Sequence, residues 1–290
     1  MPTRIDHVIA GALDFRALEA AFMRLGFHVS GGGIHPWGGT RNRVIVLGDG
    51  YLELLGIADR AKVSHALTTR LEATSGGWVG FALQSTSIES EVAAMRERGV
   101  DVYGPAVGQL VAPSGATRGW HTATVGGEDR WGTAEPVPFL IQHHTRGTVH
   151  HMELAGVGGL APHPNGATRL TEVVVAVRDL DASARLFERT YGLLAAEGTR
   201  QDEGLQAAVM TLPLDSGEHV VLACPLGAGL AQDRIQRAGE GVCRASIMAE
   251  LDVAIGYLRG HDVAFTQVGR TLDIAVQESL GAAVRLVAEP

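Results

Sequence analysis

Residues 5–27, IDHVIAGALDFRALEAAFMRLGF, set beneath residues 170–193, LTEVVVAVRDLDASARLFERTYGL, decide the fold. Each opens on an apolar strand pattern, reaches an Asp (Asp14, Asp179), runs into an Ala/Leu/Phe-rich helical pattern and stops at a Gly (Gly26, Gly192). Recurrence of this order 165 positions apart marks an internal repeat. The Asp can cap the following helix by accepting from its first free amides, Leu18, Phe22 and Leu25 recur at helical spacing, and the Gly permits the left-handed turn that ends a helix.

Two weaker copies lie at GGWVGFALQSTSIESEVAAMRERGVDV (76–102) and GVCRASIMAELDVAIGYLRGHDVAF (241–265). Between the four β-α starts stand further strand candidates joined by Gly-containing turns: RVIVLG with YLELLG, WHTATV with PFLIQHH, LQAAVMTL with HVVLAC, and LDIAVQE with AAVRLVA. The reading is an α+β chain of four βαβββ modules. The stretch TRGTVHHMELAGVGGLAPHPNGATR (145–169) is rich in Gly, His and Pro and poor in periodicity, which makes it the natural linker. The expected division is a first domain of residues 1–145, with modules at 1–56 and 76–144, a linker at 146–168, and a second domain at 169–290.

Composition narrows the function. The 290 residues are 46% hydrophobic and 19% charged, a globular balance, and a net charge of −8 with no basic cluster argues against nucleic acid or an anionic membrane as partner. A small molecule is the expected partner. Cys224 and Cys243 are too few for a disulfide framework, and no signal-peptide pattern or membrane-length apolar run occurs, so a cytoplasmic location is expected.

The chain resembles the vicinal oxygen chelate superfamily, in its glyoxalase-like branch. The resemblance rests on IDHVIAG with Asp14, on LGF, HP, GT and NR at 25–27, 35–36, 39–40 and 42–43 leading into LGDGYLELL (47–55), on PFLIQHH (138–144), and on HPNGATRLTEVVVAVRDLDA (163–182). It implies modules paired into two cupped, incompletely closed mixed β-barrels, and a divalent metal (Zn, Fe, Mn or Ni) held by the first and last strands of modules. The superfamily includes lyases, isomerases, ring-cleaving dioxygenases and antibiotic-binding proteins, so it does not name a reaction.

Strand alternation places Ile5, His7 and Ile9 on one face and Asp6, Val8 and Ala10 on the other, and groups Tyr51 with Glu53 and Leu55. A buried carboxylate needs a metal, a cation or hydrogen bonds, and His7 is the obvious residue to share Glu53's partner. By resemblance, His7 and Glu53 match the ligand positions of the first module. In the second module Gly80 stands where a ligand belongs, and the last strand offers Gln142 or, one register away, Ile141. His7, Glu53 and Gln142 are thus the expected metal ligands. His7 and Glu53 are equally consistent with an acid/base pair, or with two core side chains satisfying each other. His143 and His144, paired at a strand end, could contribute if that strand is bulged, but are expected to be exposed.

The stretch SGGGIHPWGGTRNR (30–43) reads as a glycine-rich loop over a cavity mouth. His35 and Asn42 are candidates to orient substrate oxygens, Trp37 offers an aromatic plane, one of Arg41 and Arg43 can meet an anion, and Tyr51 faces with Glu53. Arg118, Trp120, His121 and Trp131 are further lining candidates, though aromatic strand residues also build cores. Glu172 takes the place of His7 in the second half, with Leu222 near the place of Glu53, which points to a degenerate copy.

The leading reading is a metal-dependent lyase or isomerase acting on a small oxygenated molecule, with Glu53 and His35 as catalytic residues and His35, Trp37, Asn42, Arg43 and Tyr51 contacting substrate. A non-catalytic small-molecule or antibiotic-binding protein is the alternative, and an extradiol dioxygenase the third. Four modules can pair within one chain, so a monomer or a homodimer is expected.

Overall fold

A computed structural model describes residues 1–132, 137–156, 159–196 and 198–289. The first half runs β1 (Arg4–Gly11), α1 (Phe15–Arg24), β2 (Ser30–His35), β3 (Thr40–Leu47), β4 (Gly50–Ile57), α2 (His65–Thr74), β5 (Gly77–Gln84), α3 (Ile88–Glu97), β6 (Val102–Val111), β7 (Thr117–Val125), β8 (Phe139–His143) and α4 (Gly147–Ala155). The second half continues with β9 (Ala167–Ala176), α5 (Leu180–Tyr191), β10 (Arg200–Asp202), β11 (Ala207–Pro213), β12 (His219–Pro225), α6 (Leu230–Ala238), β13 (Gly241–Ala249), α7 (Leu251–Gly260), β14 (Phe265–Val268), β15 (Thr271–Ile274) and β16 (Val284–Val287).

The repeat signals act locally. Asp14 accepts from the Ala17 amide and Asp179 from the Ala182 amide, each at 2.9 Å, which fixes the starts of α1 and α5. Gly26 and Gly192 take φ of 85° and 74° where those helices end. Each module then lays its last strand parallel to its first, as β1 with β4 and β9 with β12, because a helix carries the chain back over the sheet face.

Strand order differs between the halves. The first is a closed barrel, β1-β4-β3-β2-β6-β7-β8-β5; the second is an open eight-stranded sheet, β10-β11-β12-β9-β13-β16-β15-β14. The α+β, four-module architecture is therefore present, with closure confined to the first half. A single pair, Ile34 with Val111, closes the seam between β2 and β6. Glycine makes that approach possible. A Cβ on Gly33 would lie 2.2 Å from the Val111 carbonyl oxygen, and one on Gly31 1.7 Å from that of Leu154. Of the stretch expected as a loop over the mouth, residues 30–35 are the seam strand β2, 36–39 turn, and 40–43 open β3.

One apolar core runs through both halves, from Leu18, Phe22, Trp78 and Phe81 to Val173, Phe187 and Leu286. The Trp78 indole N–H donates to the Ala283 carbonyl across the join at 2.9 Å. The region expected as a plain linker contains α4, and buried Asn165 donates back to the Leu25 carbonyl at 2.9 Å. None of the described helices is long and apolar enough to cross a membrane.

Candidate active site

The barrel interior is layered. At one end Leu67 and Leu71 of α2 pack on Ile9, Leu55, Val79, Phe139 and Ile141; toward α4, Leu154 packs on Val44 and Tyr51. The cavity between is lined by His7, His35, Asn42, Tyr51, Glu53, Arg118, Trp120, Arg130, Phe139, Ile141 and His143. So many polar groups inside a barrel require partners or a ligand.

Glu53 sits at its centre. It is 6% exposed and accepts from the Asn42 amide at 2.7 Å. His7 Nε2 lies 3.6 Å from one carboxylate oxygen and His35 Nε2 3.8 Å from the other. Burial by itself raises the Glu53 pKa, but His7, His35, the Asn42 hydrogen bond and Arg130 outweigh it, so the carboxyl lies below its ordinary value and is ionised at neutral pH. Burial, reinforced by Arg130 and Arg118, pushes His35 down to about 4 against the pull of Glu53, so its ring is neutral at pH 7. Its Nδ1 is hydrogen-bonded with Thr40 Oγ1 at 2.8 Å.

Behind His7 stands a group that alternation assigned to the opposite face. β1 pairs Ile5 with Leu83 and then His7 with Ala82, leaving Asp6 as the extra residue of a bulge. A bulge breaks the two-residue period, so neighbouring side chains can reach the same interior. Asp6 is 1% exposed; its Oδ1 lies 2.6 Å from His7 Nδ1, and both oxygens lie 3.1 Å from His143 Nε2. Burial alone would raise the Asp6 pKa, but His143 and then His7 overcome it and hold the carboxylate well below its usual range. His7 is further fixed by stacking on Tyr51, with ring centroids 4.6 Å apart. Burial, with Asp6 and Glu53 nearby, lifts the Tyr51 pKa well above 10, so its hydroxyl stays protonated.

Of the residues named from sequence, the structure gathers His7, His35, Asn42, Tyr51 and Glu53, with Arg118 and Trp120, in one cavity. Trp37 is 66% exposed and stands outside it. Arg43 is engaged by Glu19 Oε1 at 3.0 Å and the Gly31 carbonyl at 2.8 Å, away from the cavity, and Arg41 is exposed. Gln142 turns outward, where its side-chain oxygen accepts from the Ile88 amide at 2.7 Å and caps α3, so it does not share a site with His7 and Glu53. His143, expected to be exposed, is buried against Asp6, while His144 is exposed. Arg130 was not singled out from sequence; its only local sign is a charge between Asp129 and Trp131.

The donors fit a divalent metal poorly. Gly80 and Ile141 supply no ligand atom at the second module's positions, Gln142 points away, and His143 is held by Asp6. Arg118 and Arg130 face the same cavity, and their charges are felt at His35, so they would oppose a cation beside it. Among the described residues no group of three or more His, Cys, Asp or Glu side chains is arranged to hold a metal ion.

Residues 5–191 match the family described as glyoxalase-like domain. In structure the chain is similar to a hypothetical protein from Staphylococcus aureus, with a TM-score of 0.68, 14% identity, and coverage of 98% of this chain and 99% of that one. It is also similar to a mutant 4-hydroxymandelate synthase from Streptomyces coelicolor, with a TM-score of 0.66, 12% identity, and coverage of 99% and 92%. A third similarity, to a fusion of a xylose isomerase-like TIM barrel with 4-hydroxyphenylpyruvate dioxygenase, has a TM-score of 0.60, 13% identity, and coverage of 99% and 49%. At these identities the likenesses concern the fold. No curated protein matches the sequence.

Proposed function

We propose that this chain, which belongs to the glyoxalase-like domain family, is a proton-transfer enzyme of the lyase or isomerase kind, acting on a small oxygenated organic molecule inside the first barrel. The observation that carries this reading is the Asp6–His7–Glu53 arrangement. Asp6 accepts at His7 Nδ1, which leaves Nε2 facing the cavity and Glu53. An imidazole oriented from behind by a carboxylate is a well-positioned general base.

Glu53 takes a different part. A carboxylate held below its ordinary pKa is a weak base at neutral pH, because proton-transfer efficiency is best when the base titrates near the working pH. Glu53 therefore stabilises the imidazolium formed when His7 Nε2 removes a proton from the carbon next to a substrate carbonyl. The electron pair of the broken C–H bond moves onto the carbonyl oxygen, and neutral His35 with the Arg118 and Arg130 guanidiniums stabilises the resulting anion. Return of the proton from His7 to the same carbon completes an exchange or epimerisation; in an α-hydroxycarbonyl substrate, passage of the hydroxyl proton to the enolate oxygen lets His7 return its proton to the former carbonyl carbon instead, as the hydroxyl-bearing carbon becomes the new carbonyl, which is an isomerisation.

The test is α-proton exchange in D2O, followed by NMR over a panel of α-hydroxyaldehydes, α-hydroxyketones and 2-oxo acids. The native chain is expected to exchange at least one class, and His7→Gln to lower that rate by about 10²-fold or more, the usual range for a lost general base. Full exchange by His7→Gln would sink the assignment. Metal analysis of protein purified without a His tag provides the other arm. One tightly held equivalent lost in His7→Ala would replace this reading by a metal-dependent one.

A second reading has its own support, because Trp120, Phe139 and Ile141 give the cavity an apolar wall suited to binding alone. Undiminished ligand retention in His7→Ala and Glu53→Ala, with no exchange in the native chain, favours that reading.

A further inference from the structure

We propose that the barrel site takes an organic carboxylate bearing an apolar arm, with Arg118 recognising the carboxylate and the arm lying in a second, outer pocket between α4 and the β6–β7 turn. This deepens the reading of the barrel interior as a substrate site and rests on it.

Arg118 is the shared wall of two spaces. It lines the inner cavity with Glu53 and His35, and it lines an outer pocket of about 390 Å3 that opens to solvent. It is only 8% exposed, its Nε is buried without a partner, and among the described residues it makes no hydrogen bond or ion pair. A guanidinium on a side chain this buried, with its Nε unpaired, favours an anion beside it. A carboxylate answers it with the matching two-pronged geometry.

The neighbouring charges are already committed. Arg130 lies over the rings of Phe139 and Trp131, at 4.4 and 4.8 Å from their centroids, and feels the Glu53 charge. In the outer pocket Arg43 is held by Glu19 and the Gly31 carbonyl, and Glu153 accepts from Thr145 Oγ1 at 2.6 Å. Arg118 itself lies over the Trp120 ring at a longer 6.0 Å, and as the one guanidinium lining both spaces it is the one placed to meet a ligand at their junction. The rest of the outer wall includes Leu110, Ala112, Pro113 and Ala116 beside Gly31 and Gly32, a small and mainly apolar surface suited to a hydrocarbon arm. A ligand with its carboxylate at the junction has its oxygenated end inward at Glu53 and its arm outward.

Calorimetric titration of the intact chain with octanoate, acetate, methyl octanoate and octyl phosphate tests this. Octanoate is expected to bind at least about tenfold more tightly than acetate or methyl octanoate, consistent with the burial of several methylene groups and with one charge-assisted contact. Arg118→Met should lose the preference for octanoate over its ester, and Arg118→Lys should keep part of it. Removing an unpaired buried charge should also leave the melting temperature of Arg118→Met at or above that of the native chain, whereas a structural role for Arg118 would lower it. Equal binding of octanoate and its ester, or an Arg118→Met variant with unchanged selectivity, overturns the proposal. Tighter, Arg118-dependent binding of octyl phosphate overturns the carboxylate in favour of a phosphate. Failure of octanoate to bind while α-proton exchange succeeds removes this inference alone; carboxylate binding through Arg118 with no exchange removes the proton-transfer reading alone.

Discussion

The two halves place different chemistry at matching positions of one sheet pattern. In the first, β1 and β4 pair His7 with Tyr51 and Ile9 with Glu53, and β5 sets Gly80 opposite Ile9. In the second, β9 and β12 pair Glu172 with His219 and Val174 with Val221, and β13 sets Arg244 opposite Val174. Glu172 thus stands for His7, Val221 rather than Leu222 for Glu53, and Arg244 for Gly80. Arg244 donates to Glu172 at 3.1 Å and Ser246 donates to the same oxygen at 2.9 Å, while α6 places Ala231, Leu230 and Ile235 against the inner wall of Val174, Ala176 and Val221. The second half pairs Glu172 with Arg244 and Ser246, although two Arg244 nitrogens keep no partner, and packs α6 over that wall. The first, with glycine where the other has arginine, leaves Arg118 without a carboxylate partner in the wall of a cavity. What separates the halves here is whether the interior arginine already has a carboxylate partner.

Breaking the closure should have the largest effect. Gly33→Val puts a side chain where the Val111 carbonyl oxygen stands 2.2 Å from the Cβ position, with Leu110 at 2.7 Å, so the β2–β6 seam must part. The expected loss is about 3 kcal/mol in urea denaturation, at the upper end for overpacking, with octanoate binding lost as the cavity opens. Gln201→Val on exposed β10, an edge of the open sheet, should change stability by less than about 0.5 kcal/mol. Equal tolerance at the two sites would mean that the first barrel does not depend on its seam.

Separating committed from uncommitted charge comes next. Arg244 is 3% exposed, and its loss strands Glu172. Because Glu172 keeps partial access to water and two Arg244 nitrogens have no partner, Arg244→Met should cost about 2 kcal/mol, below the range for a fully buried, fully bonded pair. Adding Glu172→Met should recover most of it. Arg118→Met in the first half is expected to cost nothing, and a matching loss there would erase the contrast.

Sequence carried the parts of this picture that depend on short-range rules. The Asp14 and Asp179 caps, the glycine stops and the strand-helix order recur in both halves because each is set within a few residues. Tyr51 and Glu53 could be grouped because β4 is regular, and Asn42 and His35 fell beside them through the β2–β3–β4 hairpins. Asp6 could not, since the bulge at its position cancels the alternation that assigned it outward. In the second module the two registers open to the last strand differ by one residue, and β8 takes the one that turns Ile141 and His143 inward, so Gln142 caps α3 instead. The glycines of β2 looked like a loop because their real constraint, contact with the carbonyls of Val111 and Leu154, comes from partners distant in sequence.

The smallest effect isolates the polar layer by pH. His35 titrates near 4 inside the barrel because burial, with Arg130 and Arg118, disfavours its cation, against about 6.5 in an unfolded chain. A depressed folded pKa contributes stability that is complete above the unfolded value and is lost as pH falls toward the folded one. Between pH 7 and 5 the native chain should therefore lose on the order of 1–2 kcal/mol through this group, a loss that His35→Gln lacks. His150, pushed to about 3 by burial and then by His143, acts with the same sign but is present in both proteins and cancels from the difference. Asp6 contributes only at lower pH, since its stabilisation fades below the ordinary carboxylate range. Urea midpoints measured at pH 7, 6 and 5 should fall more steeply for the native chain than for His35→Gln. Parallel slopes would show that the barrel does not disfavour the His35 cation, and the polar layer would lose its electrostatic distinction from the surface.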